Sequence, residues 1–317
     1  MRARDLGITI GTDEPGPHNA ITDVEGVLVG HSTLIEGDDV RTGVTVIVPP
    51  EMPLFAGCHR LNGNGELTGL EWVRESGLLT TPIGITNTFS VGVVRDAIAA
   101  RSADEDAWSL PVVGETFDGF LNDIRAQRIT PAHVEAAFNA ASADVDEGSV
   151  GGGTGMVCHE FKGGIGTASR VVNGHVVGVL VQANYGRRGR FRVDGVPVGE
   201  LIGDRIPTPK PRDEWGSIIG VVATDAPLLP HQCNRLAQRI GLGVARVGGT
   251  AAHTSGDLFF AFATGNRGLD PPKGELALRM LSDGEITPLY AAVIDATEEA
   301  ILNAMLQAET MSGRDGS

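Results

Sequence analysis

At 317 residues, with 41% hydrophobic and 21% charged positions and a mean hydropathy of +0.02, the chain has the material for a large globular core. Its net charge of −15 and pI of about 4.9 set it against phosphate backbones and anionic lipids, so nucleic acid and membrane are not expected as partners. Three widely separated cysteines, Cys58, Cys158 and Cys233, give neither a disulfide framework nor metal-ligand spacing.

In chain order, Met1 to Gly7 carries charge with no apolar run behind it, so no signal peptide is expected, and a cytoplasmic protein is the reading. Gly43 to Val48 is short, β-branched and bounded by turn formers, which predicts a strand. Helical periodicity follows at Gly69–Ser76, Val93–Ala103 and Pro131–Ala141. Gly174 to Asn184 reads as a strand buried on both faces, and Pro207–Asp213 as a surface loop. Ile218 to Ala223 is another strand, and His231 to Gly241 another helix. The clearest helix is Pro288–Gln307. Thr287 can cap it, Pro288 suits its first position, and Leu289, Ala292, Val293, Ala296, Ala300 and Ala304 form its apolar stripe. Strands follow one another directly in places, which favours a layered α/β or α+β sandwich over a regularly wound parallel sheet. There is no internal repeat and no convincing linker.

Glycine is the compositional outlier, with 44 residues, and implies tight turns and close backbone approaches. Gly151-Gly152-Gly153-Thr154-Gly155 lacks the Lys-Ser/Thr of a phosphate loop and reads as a tight bend near a site. The eight histidines are scattered, so no metal or other cofactor is indicated. The basic run Arg187 to Arg192 reads as a solvated turn or, alternatively, as a contact for an anion or carboxylate.

The segment that points to chemistry is Arg246 to Thr264. Small and hydroxyl residues lead there abruptly into an apolar strand. A hydroxyl at such a corner can attack its own preceding carbonyl. The chain then breaks, and the new α-amine serves the hydroxyl as general base. An α-amine with a pKa near 8 is better matched to neutral pH than a lysine. The competing reading is a polar loop entering a strand, and Thr250, Thr254 and Ser255 all remain open as nucleophiles at this level.

Several segments resemble the self-processing D-aminopeptidases, β-peptidyl aminopeptidases and nylon-oligomer hydrolases. They include Asn19 to Val27, Gly63 to Gly69, Thr86 to Gly92, Val150 to Met156, Phe161 to Arg170 and Asn184-Tyr185-Gly186. Ala223 to Pro230, Ser255-Gly256-Asp257 and Ala296 to Asn303 complete a series in constant order from about residue 19 to 314. The resemblance implies a four-layer αββα sandwich, one amidohydrolase domain cut between Thr254 and Ser255 into fragments 1–254 and 255–317. It makes Ser255, directly before Gly-Asp, the nucleophile, with Asp295 as the acid on the last helix that tunes the new amine. Asn184 is the expected oxyanion donor against an ordinary turn asparagine, and Lys162 a catalytic-site cation against an exposed turn lysine. His253 is a minor candidate for assisting the cut. Phe117 is expected to contact substrate, at a position where the aminopeptidases carry tyrosine, and Val293 stands where some members place a serine or an acid. The implied substrate is a small amide or peptide with a free amine, and the implied assembly a homo-oligomer of cleaved units. A nylon-type oligoamide hydrolase or acyltransferase, and a non-catalytic binding or assembly protein on the same fold, are the alternatives.

Overall fold

A computed structural model describes residues 1–101, 109–203, 215–270 and 273–316. Strands β1 (Leu28–Glu36), β2 (Val40–Val48), β5 (Ile83–Asn87) and β6 (Val112–Thr116) form one sheet in that order. A second sheet runs β4 (Leu78–Leu79), β3 (Leu54–Gly63), β12 (Thr254–Ala263), β11 (Trp215–Thr224), β10 (His175–Asn184) and β9 (Gly164–Val172). A two-stranded ribbon joins β7 (Val157–Cys158) to β8 (Phe161–Lys162). Most neighbours are antiparallel. The parallel pairs, β5 with β6 and β11 with β12, need crossovers. Helix α2 (Val91–Ala100) lies in the first crossover and α5 (Pro230–Arg246) in the second.

The alternation of side chains along β12 shows how the layers are held. Phe260 and Phe262 point into a core between the sheets with Ile47, Ile83, Ile85 and Leu180. Phe259 and Ala261 point the other way, into a core shared with Leu236 and Ile240 of α5 and Val293 and Ala300 of α6 (Thr287–Leu306). A third core packs α2 and α3 (Pro131–Asn139) on the outer face of the four-stranded sheet through Val44, Val46, Val94 and Val134. The result is four layers, αββα, as expected. Phe259, Phe260 and Phe262 are wholly buried, and truncating one to alanine is worth about 3–5 kcal/mol.

Of the two short helices, α1 (Leu70–Ser76) adds Val73 to the core between the sheets, and α4 (Val198–Ile202) follows β10 in the chain. The expected helices and strands are present with shifted ends, and α5 runs on to Arg246. The stripe of α6 is buried as expected, but so are Asp295, Thr297, Glu298, Glu299 and Asn303 on its other faces. They are covered in part by the N-terminal segment, where Ala3 N donates to Asn303 and Arg4 pairs with Glu299. The surface loop expected at Pro207–Asp213 lies outside the described residues. Among those described, no helix is long and apolar enough to cross a membrane.

Candidate active site

After α5, the chain turns through Ala251, a non-glycine residue in the left-handed region at φ 46°, before entering β12. The Ser255 amide donates to Ala252 O at 2.8 Å and closes this turn. Two asparagines hold the corner from the end of β3. Asn62 Nδ2 donates to Ala252 O at 2.7 Å and to Ser255 O at 2.6 Å, while Asn64 Nδ2 donates to the Thr254 carbonyl at 2.6 Å. The antiparallel pairing of β3 with β12, which sets Gly63 opposite Gly256, delivers both asparagines.

Ser255 is buried, and its Oγ donates to Asp257 Oδ1 at 2.6 Å. Residues i and i+2 of a strand share a face, so Ser-Gly-Asp at the head of β12 puts hydroxyl and carboxylate side by side. The glycine between them is required by space: a Cβ on Gly256 would lie 2.6 Å from Asn64 O and 2.9 Å from Gly65 Cα. Asp257 Oδ2 is buried with no hydrogen-bond partner among the described residues. Burial pushes the Asp257 carboxyl up to about 6, and the serine hydrogen bond offsets only part of that.

Ser255 opens on a cleft of about 670 Å³. Its lining includes Thr254, Asn184, Phe117 and Glu115, with Arg125 and Arg190 also on its wall. Glu115, at the end of β6, is buried; it accepts from the Glu66 amide at 2.9 Å and from the Thr88 hydroxyl. Burial raises its pKa against those two donors. Asn184 Nδ2 donates to Phe117 O at 2.9 Å and to Ser217 Oγ at 3.3 Å, and its Oδ1 accepts from Val157 N.

Ser255, Thr254, Thr250, Asn184 and Phe117 therefore meet on one cleft. Lys162 and Asp295 are not among its lining residues. Lys162 Nζ donates to the carbonyls of Met156 at 2.9 Å, Gly163 at 2.8 Å and Gly153 at 3.3 Å, and burial pulls its ammonium down to about 7. It ties the β8 ribbon to the turn Gly151–Gly153. That turn is tight as expected, but it packs between the sheets, where a Cβ on Gly152 would meet Gln182 Oε1 at 2.2 Å, and it does not line the cleft. Asp295 pairs with Arg246 at the end of α5. His253 is exposed beside the corner.

In the basic run, Arg187 lines the cleft and pairs with Glu160 at 3.0 Å. Arg188 turns inward, lies over the Phe161 ring and donates to Glu160 O at 3.0 Å, so the run is not simply a solvated turn. Sequence reasoning missed Asp257, Asn64, Asn62 and Glu115 as site residues. The first was readable from strand periodicity; the others depend on pairings between distant strands. Among the described residues, no three His, Cys, Asp or Glu side chains group to hold a metal ion, and all three cysteines are free.

Known proteins resemble this chain in sequence and in fold. The model of peptidase family S58 matches residues 19–317. The chain is 45% identical over 350 residues to the β-peptidyl aminopeptidase BapA of Sphingosinicella microcystinivorans, covering 99% of this chain and 88% of that one. Among solved structures, it is similar to a β-aminopeptidase of a Burkholderia species. The identity is 53%, the TM-score 0.94, and the alignment covers 99% of this chain and 94% of that one. It is also similar to the L-aminopeptidase D-Ala-esterase/amidase of Ochrobactrum anthropi, described as a prototype serine aminopeptidase and a variant of the Ntn hydrolase fold. Here the identity is 43% and the TM-score 0.92, with 99% and 93% of the two chains covered.

Proposed function

Because this chain belongs to peptidase family S58 and is a peptide-bond hydrolase with an Ntn hydrolase fold, we propose that it is an aminopeptidase for short peptides or amides whose nucleophile is Ser255, released as a new N-terminus by self-cleavage after Thr254. The observation that carries this reading is the Ser255 hydroxyl, buried at the cleft and hydrogen-bonded to a carboxylate. Once the Thr254–Ser255 bond is cut, the Ser255 α-amine lies within its own residue's reach of Oγ and acts as general base in turnover. Oγ adds to the substrate carbonyl, the amine protonates the leaving nitrogen, and water hydrolyses the resulting ester.

Glu115 is the group we assign to the substrate's ammonium. It is a buried carboxylate on the cleft wall, beside the loop that packs on Gly256, and a cation arriving there restores the charge that burial disfavours. Asn184 is the proposed oxyanion donor; its amide must turn from Phe117 O to reach an acyl oxygen. Asp295, through its pair with Arg246, and Lys162, through its three carbonyls, act in this scheme as positioning residues for the end of α5 and for the β8 ribbon. Three free cysteines suit a reducing cytoplasm, and an oligomer of cleaved units is the assembly we infer from the family.

The test is intact mass of the wild-type protein beside Ser255→Ala, with hydrolysis of an aminoacyl p-nitroanilide measured in parallel. The wild type is expected as fragments 1–254 and 255–317, the variant as one chain with activity lower by on the order of 10⁴-fold or more. A Ser255→Ala protein that still divides and still turns over removes Ser255 from the reaction. A wild-type chain that stays whole and inactive favours a binding role on this fold.

A further inference from the structure

We propose that self-cleavage runs on machinery of its own, with Asp257 as the general base and Asn64 as the oxyanion donor, both aimed at the Thr254–Ser255 bond before any free α-amine exists. The inference rests on the reading of Ser255 as a self-releasing nucleophile and adds what that reading lacks. An uncut chain has no N-terminal amine at Ser255, so the base that serves turnover cannot serve maturation.

The geometry supplies a substitute at each place where one is needed. Asp257 Oδ1 lies 2.6 Å from Ser255 Oγ and is positioned to take its proton. Asn64 Nδ2 already lies 2.6 Å from the oxygen of the carbonyl to be attacked. Negative charge that develops on Thr254 O therefore meets a donor in place. Asn62 holds the carbonyls of Ala252 and Ser255, on either side of the bond, and Ala251 at φ 46° keeps the approach bent.

The step balances as follows. Oγ bonds to the Thr254 carbonyl carbon as its proton passes to Asp257. The C–N bond to Ser255 breaks while the nitrogen takes that proton from Asp257, leaving a Thr254 ester on Oγ and a free amine. Water then adds to the ester, giving the Thr254 carboxylate and restoring the Ser255 hydroxyl. Asn62 opposite on β3 and Ile218 opposite on β11 bring no charge to Asp257. Tyr185, at the end of β10, is the titratable neighbour that feels its charge, and the tyrosine stays protonated because burial and that charge push its pKa up.

The experiment follows cleavage of newly synthesised chain by intact mass between pH 5 and 8. Wild-type cleavage is expected to rise with pH through about 6, where Asp257 loses its proton, and then to level. Asp257→Asn is expected to slow cleavage about 100-fold or more and to abolish that rise, and Asp257→Glu to restore part of both. Asn64→Ala, a change at an exposed position that does not threaten the fold, is expected to slow cleavage about 100-fold while keeping the rise. Cleavage at the wild-type rate and pH profile in Asp257→Asn, or at the wild-type rate in Asn64→Ala, overturns the assignment of that residue. Cleavage that persists in Ser255→Ala overturns the underlying reading, which keeps the two failures distinct.

Discussion

Two buried carboxylates in this protein are treated in opposite ways. Glu299, on α6, has both oxygens occupied: Oε2 accepts from Arg170 at 2.7 Å, and Oε1 from Asn19 at 2.5 Å and from Arg4 at 3.2 Å. Arg170 and Glu299 are both wholly buried, and the cluster ties the N-terminal segment to β9 and α6. Asp257, at the head of β12, is equally buried but has one serine for a partner and one oxygen with none among the described residues. A fully paired charge fixes structure; a charge left with a single hydroxyl is a base whose proton affinity burial has raised. The difference separates architecture from chemistry in a chain where both use the same residue type.

The largest effect should come from breaking the paired charge. Glu299→Ala leaves Arg170 buried without its counter-ion, and unpaired buried charge costs about 3–5 kcal/mol. Denaturant titration should show that loss, whereas Asp257→Asn, close to the same shape, should stay within about 1 kcal/mol of the wild type. The comparison fails if the two variants lose similar stability. It also fails if Glu299→Ala, in the fraction that stays folded, alters the site of cleavage.

Much of the first kind of residue was legible from sequence and little of the second. The stripe of α6 announces itself because apolar contact repeats every three to four residues, and all six of its members are buried. Glu298 and Glu299 lie off that stripe on the same helix. Glu299 is buried because a segment almost 300 residues earlier folds over it, and Glu298 because the Asp194 amide and Arg246 close on it; local periodicity carries no such information. Ser255 was named through resemblance, and Asp257 could have been added from the two-residue repeat of a strand. Asn64 and Glu115 reach the corner through the pairing of β3 with β12 and through the loop that spans from β3 to β6. Lys162 and Asp295 show the converse case. Charged side chains in distinctive motifs suggest chemistry, yet here each holds backbone or an arginine outside the cleft lining.

Glu115 sharpens the contrast as an intermediate case, a buried carboxylate with two donors that nonetheless faces the cleft. If it receives the substrate's ammonium, Glu115→Gln exchanges a charge-assisted contact for a neutral one, worth about 1.5–3 kcal/mol. The expected loss is about 10- to 100-fold in kcat/KM for a substrate with a free amine, with self-cleavage unchanged. Acetylating the substrate's amine should cost the wild type a similar factor and cost the variant much less. Equal losses in both proteins would separate Glu115 from amine recognition.

The smallest effect belongs to the exposed end of the scale. Arg190 lies on the cleft wall but is open to water, so a substrate carboxylate meeting it gains little over solvation. An exposed ion pair is worth about 0.2–1 kcal/mol, so Arg190→Gln should raise KM no more than about fivefold for a peptide with a free C-terminus. It should leave KM unchanged for the C-terminal amide of the same peptide, and 0.5 M salt should erase the difference between the two substrates. A larger, salt-resistant effect would mean that the guanidinium becomes buried when substrate binds, which would place Arg190 with the paired interior charges instead of the solvated ones.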